Sequence, residues 1–217
     1  LFLGLLNLDQ HRHELKNAVY KTMGDIAITL YVHAGTLKNG ITYLKVRSEY
    51  LEAWGLEKDD VLHEALLNSY RILPPRIYDF KKMMYTPGYA GEDFLNMDPY
   101  FISDKKKKEG ICLSVKGLSN GAVAVLYPGV IKKLVEFMDG GFYVVFSSVH
   151  EALIYSSKLC SLEELENLLR TSNARMTFQK EFLTDKVYYY CKEEDKFIML
   201  RGSMKMLVTT IRMDEEN

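Results

Sequence analysis

Four polar residues in one short segment are the most suggestive candidates for chemistry in this sequence: Ser147, Ser148, His150 and Glu151. A serine nucleophile needs a base within hydrogen-bond reach, and the base needs a third group that orients it. All three residue types are present in this segment. A hydrolase that uses Ser148 or Ser147 with His150 is therefore one interpretation of the sequence.

The spacing of these residues favours a structural role over a catalytic one. Neighbouring residues of an extended chain point to opposite sides, so Ser148 and His150 can share a face while Glu151 lies on the other. The segment also lacks the G-x-S-x-G pattern that holds a nucleophilic serine on a strained turn. Serine is common in turns because its hydroxyl bonds to nearby backbone groups. We therefore expect a hairpin turn here and assign no catalytic residue. The four residues are the alternative candidates for a catalytic site.

The three consecutive tyrosines of the predicted strand at 186–191 supply the binding candidates. Side chains alternate between the two faces of a strand, and one face must point outward. An exposed tyrosine is a good contact residue because it combines a large ring with a polar tip. We name Tyr188 and Tyr190 as binding residues, with packing against a neighbouring strand as the alternative.

Histidine, cysteine and glycine patterns do not predict a metal or cofactor site. His11, His13 and Glu14 are close in sequence, but the segment predicts a helix, where residues two apart do not meet. The HExxH zinc pattern is absent, and no glycine-rich loop precedes a helix as a phosphate site requires. The three cysteines are widely separated, and their odd number fits a reducing compartment. We predict no cofactor, no metal and a cytoplasmic location.

Residues 111–155 form the central unit of the predicted fold. Two apolar runs, an amphipathic helix between Pro128 and Gly140, and two further apolar runs give the order ββαββ. After this unit, Ser161 and Glu164 form a capping box for another helix. The strands of the unit are predicted at 111–115, 122–126, 142–146 and 152–155, and three further strands at 186–191, 197–200 and 206–212.

The first 75 residues read strand, strand, helix, helix. Asn39 and Gly40 between two apolar runs indicate a hairpin turn, and Pro74 with Pro75 ends the last helix because proline lacks a backbone N–H donor. Trp54, beside a helix end, is expected in the core. The strands are predicted at 26–32 and 41–46, and the helices at 48–54 and 59–71.

These elements together predict an α+β fold of antiparallel β-hairpins packed with helices, arranged in two lobes. Between the lobes, the lysine run at 104–109 reads as a solvated loop. We assign residues 1–86 to an N-terminal α+β lobe, residues 87–110 to an irregular linker and residues 111–217 to a C-terminal α+β lobe.

The overall charge of the chain limits the classes of partner. It has 28 basic and 29 acidic residues, a formal net charge of -1. A protein that binds nucleic acid or an anionic membrane usually needs a basic field, so the near-neutral balance counts against both. No apolar run approaches the ~20 residues of a membrane span. A partner protein or a second copy of this chain is the remaining expectation.

Several segments resemble one known family. The segment LYPGVIKKLVEFMDG at 126–140 and the segment FYVVFSSVHEALIY at 142–155 combine the motifs YPG and SSVHE. The segments at 48–75 and 183–191 are similar to the same family, so the resemblance covers most of the chain from about residue 5 to residue 191. The family consists of uncharacterised proteins of anaerobic gut bacteria, grouped as domain of unknown function fifty-six eighty-eight.

This resemblance implies a bacterial, soluble, intracellular protein and implies no activity, substrate or cofactor. The residues themselves show a full core, no paired catalytic constellation and tyrosine-rich strands. We therefore predict a non-catalytic binding or interaction module, and the hydrolase with Ser148 or Ser147 and His150 stays as the alternative.

Overall fold

The computed structural model describes residues 1–37, 40–175, 178–201 and 204–207. Within these ranges the chain forms two open antiparallel sheets accompanied by helices. The predicted α+β class is therefore confirmed. Asn39 of the predicted hairpin turn and residues 208–212 of the predicted last strand lie outside the described residues.

The first sheet is built from the N-terminal residues. Its longest strand pairs with all three others, and the short helix α1 (Arg12–Leu15) connects the first two strands. The apolar start of the chain is therefore an edge strand. The strands are β1 (Phe2–Asn7), β2 (Tyr20–Met23), β3 (Ile26–Leu37) and β4 (Gly40–Lys45).

Two helices follow the first sheet, α2 (Ser48–Trp54) and α3 (Lys58–Ile72). Gly55 ends α2 in the left-handed conformation, as expected for a glycine after a helix. The buried face of α3 repeats every three to four residues and packs on β1, where Ser69 Oγ accepts the Leu3 backbone N–H at 2.8 Å. The expectation for Trp54 is wrong: its side chain is 52% exposed because α2 buries only Leu51.

The second sheet contains eight strands in the order β12-β11-β10-β8-β9-β7-β5-β6. All neighbouring strands are antiparallel, and the hairpin predicted after the central unit is β10 paired with β11. The strands are β5 (Pro75–Tyr78), β6 (Glu92–Asp93), β7 (Ile111–Val115), β8 (Phe142–Val145), β9 (Ala152–Ser156), β10 (Val187–Cys191), β11 (Lys196–Arg201) and β12 (Met204–Leu207).

The region between β5 and β7 is more regular than the sequence suggests. It contains two short helices, α4 (Phe80–Tyr85) and α5 (Asp104–Glu109). The prediction of a loop at 104–109 is wrong because Ser103 caps the helix and two lysines pair with acidic residues one turn away.

The central unit departs from prediction at one element. Residues 122–126 are not a strand but part of a 3₁₀-helix (Gly121–Leu126), whose six residues are all buried. Apolar periodicity cannot separate a short buried strand from a buried helical segment. The helix α6 (Val130–Met138) follows as expected, and α7 (Leu162–Arg175) begins with the predicted capping box, in which Ser161 N–H donates to Glu164 Oε2 at 3.0 Å.

Both sheets contribute to one cluster of buried apolar residues, which includes Leu3 and Ile28 of the first sheet and Leu113 and Val144 of the second. The first sheet lies within residues 1–86, while β5 from the same range pairs with β7 of the second sheet. The division into lobes at 1–86, 87–110 and 111–217 stays a prediction.

Candidate binding site

The two serines predicted as alternative nucleophiles lie in the turn between β8 and β9. Ser147 Oγ donates to Glu151 Oε1 at 2.5 Å, which closes the turn on itself. Ser148 Oγ accepts the backbone N–H of His150 at 3.0 Å, and its side chain is largely buried. Both hydroxyls therefore make the local bonds that are typical of serine in turns.

His150 connects this turn to two neighbouring loops. Its Nδ1 accepts the backbone N–H of Asn120 at 3.1 Å, so Nδ1 carries no proton in this arrangement. Its Nε2 lies 3.4 Å from Glu181 Oε1, and its backbone carbonyl accepts from Ser114 Oγ at 2.6 Å. Both ring nitrogens face groups other than a serine. The serine–base contact that a hydrolase needs is thus not formed here, and a catalytic role for the four residues stays a prediction.

Tyr188 and Tyr190 lie on the buried face of β10, so the exposed position expected of a contact residue is wrong for both. They are 0% and 4% exposed. The Tyr188 hydroxyl lies 2.6 Å from Asp25 Oδ1 and 2.8 Å from the Met23 carbonyl, in the β2–β3 hairpin. Burial is the main cause that raises the pKa of Tyr188, followed by the nearby Asp25 carboxylate. These contacts join the two sheets, and a binding role for the two tyrosines stays a prediction.

An open pocket of about 190 Å³ lies in the region between β5 and β7. Strand β5, the starts of α4 and β7, and the chain between α4 and α5 all contribute to it. Its aliphatic lining residues are Ile77, Met97, Ile102 and Ile111. We call this feature the 77–111 pocket.

Two ion pairs lie at the rim of the 77–111 pocket. Lys106 Nζ is 2.6 Å from Asp79 Oδ2, and Lys82 Nζ is 2.5 Å from Glu92 Oε1. The ammonium of Lys82 also lies 5.7 Å from the centre of the Tyr89 ring, within cation–π range. The bond from Lys106, and next the backbone N–H of Lys82, lower the pKa of Asp79 to about 2. The rim therefore holds two acidic and two basic side chains in matched pairs.

Helix α4 places a large apolar surface beside the pocket. None of its six residues is buried. Asp79 and Lys82, three residues apart, face the pocket, while Phe80, Met84 and Tyr85 are 53%, 75% and 78% exposed. A group of exposed large apolar side chains around a cavity is typical of an interaction surface.

The family of unknown function DUF5688 matches residues 1–192. The chain belongs to this family. The resemblance drawn from the YPG and SSVHE segments is thus confirmed. No curated protein and no solved structure matches the chain. In the described ranges, none of the helices has the length and apolar character needed to cross a membrane.

Sequence reasoning missed the pocket of this DUF5688 protein because residues far apart in sequence form it. β6 has only two residues, and α4 has no apolar period that would reveal a buried face. One signal was available: Phe80, Met83, Met84 and Tyr85 are four large apolar residues in six positions, with one proline and two glycines in the next six residues. Such a group without helical periodicity indicates exposed apolar surface.

Proposed function

We propose that this DUF5688 protein is a non-catalytic interaction module that binds a segment of a partner protein at the 77–111 pocket and the adjacent surface of α4. The observation that carries the proposal is the position of the pocket beside a helix whose apolar side chains are all exposed. Burying Phe80, Met84 and Tyr85 against a partner would contribute about 25 cal/mol per Å² of apolar surface removed from water.

The size of the pocket supports a protein segment as the occupant. Sites for small molecules usually measure roughly 300–1,000 Å³, and this pocket measures about 190 Å³. A volume of this size suits one anchoring side chain, and binding energy in protein interfaces concentrates at such anchors. Methionine is unbranched and adapts to different partner surfaces, so Met83 and Met84 suit the same role.

The charges at the rim favour an uncharged anchor. Asp79, Glu92, Lys82 and Lys106 already satisfy one another. A charged anchor would have to break one of these pairs and leave a charge without its partner, which costs free energy where water is excluded. An apolar side chain reaches the wall formed by Ile77 and Ile102 without breaking either pair.

The described lining of the pocket lacks the serine–histidine and cysteine–histidine pairs that many hydrolases use. Its lining contains neither serine, cysteine nor histidine. Elsewhere, burial raises the pKa of Cys112 to about 12, so its thiol does not ionise at neutral pH. These features support binding rather than covalent chemistry.

A random dodecapeptide phage library panned against the full chain tests this proposal. We expect the enriched peptides to share one apolar residue. Their affinity, measured by fluorescence anisotropy, should fall about tenfold or more in Ile102→Trp, because the larger ring fills the pocket. Leu159→Trp adds the same ring at a surface position that is 39% exposed and outside the pocket, and should leave binding unchanged.

Two outcomes would contradict the proposal. One is a library without enriched peptides, or peptides that bind Ile102→Trp and the unmodified chain equally well. The other is covalent labelling by a fluorophosphonate probe that His150→Ala abolishes, because this result would favour the hydrolase with Ser148 or Ser147.

A further inference from the structure

Helix α2, the turn after it and the first turn of α3 form a second surface, which none of the preceding features involves. Tyr50 and Trp54 are one helical turn apart, and their rings stack with centroids 5.8 Å apart and an interplanar angle of 23°. They are 45% and 52% exposed, and the following Leu56 is 46% exposed. We call Tyr50, Trp54, Leu56 and the carboxylates of residues 49–60 the α2 patch.

The α2 patch is strongly acidic in a chain that is nearly neutral. Residues 48–60 hold five carboxylates and one lysine, a net charge of -4. Asp59 pairs with Lys21, and Glu49 pairs with Arg47. The other three carboxylates are exposed and have no cation within salt-bridge distance in the described part of the chain: Glu52, Glu57 and Asp60.

The only lysine of the patch does not cover its aromatic rings. The ammonium of Lys58 lies 5.9 Å from the centre of the Tyr20 ring, on β2. The Tyr50–Trp54 stack therefore stays open to a cation from outside, and exposed carboxylates lie in the same stretch of 13 residues, at 48–60.

We propose that the α2 patch binds an arginine-containing basic segment of a partner protein. Arginine is the side chain that fits both features. Its planar guanidinium stacks on an aromatic face, and its five donors bind carboxylates in pairs. Lysine offers the charge without the planar group, so the patch should distinguish the two. This surface is separate from the 77–111 pocket and does not depend on the function proposed for the pocket.

The single tryptophan of the chain makes the patch directly observable. Because Trp54 is the only tryptophan, fluorescence excited at the long-wavelength edge, where tyrosine does not absorb, reports contacts at this surface. The probes are three peptides in which glycine alternates with three arginines, three lysines or three glutamates. We expect the arginine peptide to change the Trp54 emission to saturation and to bind about three- to fivefold tighter than the lysine peptide. The glutamate peptide should not bind.

Two variants separate the contribution of aromatic stacking from that of charge. Binding to them is measured by the fluorescence anisotropy of fluorescein-labelled peptides. Trp54→Ala should remove the preference for arginine over lysine, because the stacking face is lost while the charges remain. The triple variant Glu52→Gln, Glu57→Gln and Asp60→Asn should weaken both basic peptides about tenfold and reduce their salt dependence. Phe178→Ala removes an aromatic ring that is 74% exposed and lies in neither proposed surface, and it should leave the affinities of all three peptides unchanged.

Equal affinity for the arginine and lysine peptides would overturn the proposal. Unchanged arginine binding by Trp54→Ala, or saturable binding of the glutamate peptide, would also do so. Self-association that Trp54→Ala abolishes, measured by sedimentation, would assign the patch to a second copy of the chain and overturn the partner named here. Ile102→Trp should bind the arginine peptide normally, so that a failure of the pocket proposal is distinguishable from a failure of this one.

Discussion

Replacing Tyr188 by phenylalanine should destabilise the protein through the loss of one oxygen atom. The Tyr188 hydroxyl lies 2.6 Å from Asp25 Oδ1 and 2.8 Å from the Met23 carbonyl, and it accepts the Asp25 backbone N–H at 3.3 Å. Phenylalanine keeps the ring and its edge-to-face contact with Phe146, at 5.5 Å between centroids. The variant therefore tests the hydroxyl alone.

The size of the loss in stability depends on the polar groups that lose the Tyr188 hydroxyl as a hydrogen-bond partner. A hydrogen bond to a charged group contributes about 1.5–3 kcal/mol, and its loss leaves polar groups without a partner. Asp25 is half-buried, and its other oxygen still accepts from Thr184 Oγ1 at 2.8 Å, so water and Thr184 can compensate in part. We expect a loss of about 1.5–2 kcal/mol in the free energy of unfolding, at the lower end of that range. For a chain of this length, the melting temperature should fall by roughly 3–8 °C.

Urea and thermal unfolding followed by circular dichroism measure this change. Tyr100→Phe is the matched control, since Tyr100 is 96% exposed and its hydroxyl contacts water. The control should stay within about 0.5 kcal/mol of the unmodified chain. If Tyr188→Phe and Tyr100→Phe have the same free energy of unfolding, the bonds of the Tyr188 hydroxyl between the two sheets do not stabilise the protein. This result would refute the reasoning. In a double-mutant cycle with Asp25→Asn, the two losses should not add.

Three further predictions concern charge and packing. Lys106 lowers the pKa of Asp79 to about 2, so the ionised Asp79 stabilises the protein above pH ~4 and this stabilisation is lost as the pH falls towards 2. Asp79→Asn should therefore flatten the acidic part of the curve of unfolding free energy against pH, measured with urea. Burial raises the pKa of Tyr155 to about 12, while an unfolded tyrosine ionises near ~10, so the free energy of unfolding should fall above pH ~10, and Tyr155→Phe should lessen that fall in urea unfolding. A Cβ atom at Gly121 would lie 2.0 Å from Ser114 Oγ and 2.7 Å from a backbone carbonyl, so Gly121→Ala should cost about 1–3 kcal/mol in urea unfolding. Adding Ser114→Ala should restore only part of that loss, because the backbone contact remains; full recovery would contradict the packing argument.

Sequence patterns predicted the features that depend on residues within one helix or strand. The buried face of α3 could be predicted because apolar residues recur at helical spacing from Val61 to Leu66. The capping box of Ser161 and Glu164 could be predicted because both partners lie within one turn. The α+β class followed from such local signals.

The remaining features depend on contacts between distant residues. Alternation along β10 shows that Tyr188 and Tyr190 share a face, but only the pairing with the β2–β3 hairpin decides that this face is buried. The apolar residues at 122–126 fit a buried strand and a buried helical segment equally well, and only their contacts in the folded chain distinguish the two. The 77–111 pocket needs four chain segments in contact, and no pattern within one segment contains that information.

The bond between Asp25 and Tyr188 spans 163 positions of the chain, and this distance has a consequence during synthesis. A ribosome releases the β2–β3 hairpin long before it releases β10. Until β10 has emerged, the β2–β3 hairpin lacks the hydroxyl of Tyr188 that joins it to the second sheet. Release of β10, rather than formation of the first hairpin, is therefore the step that allows the two sheets to join through this bond.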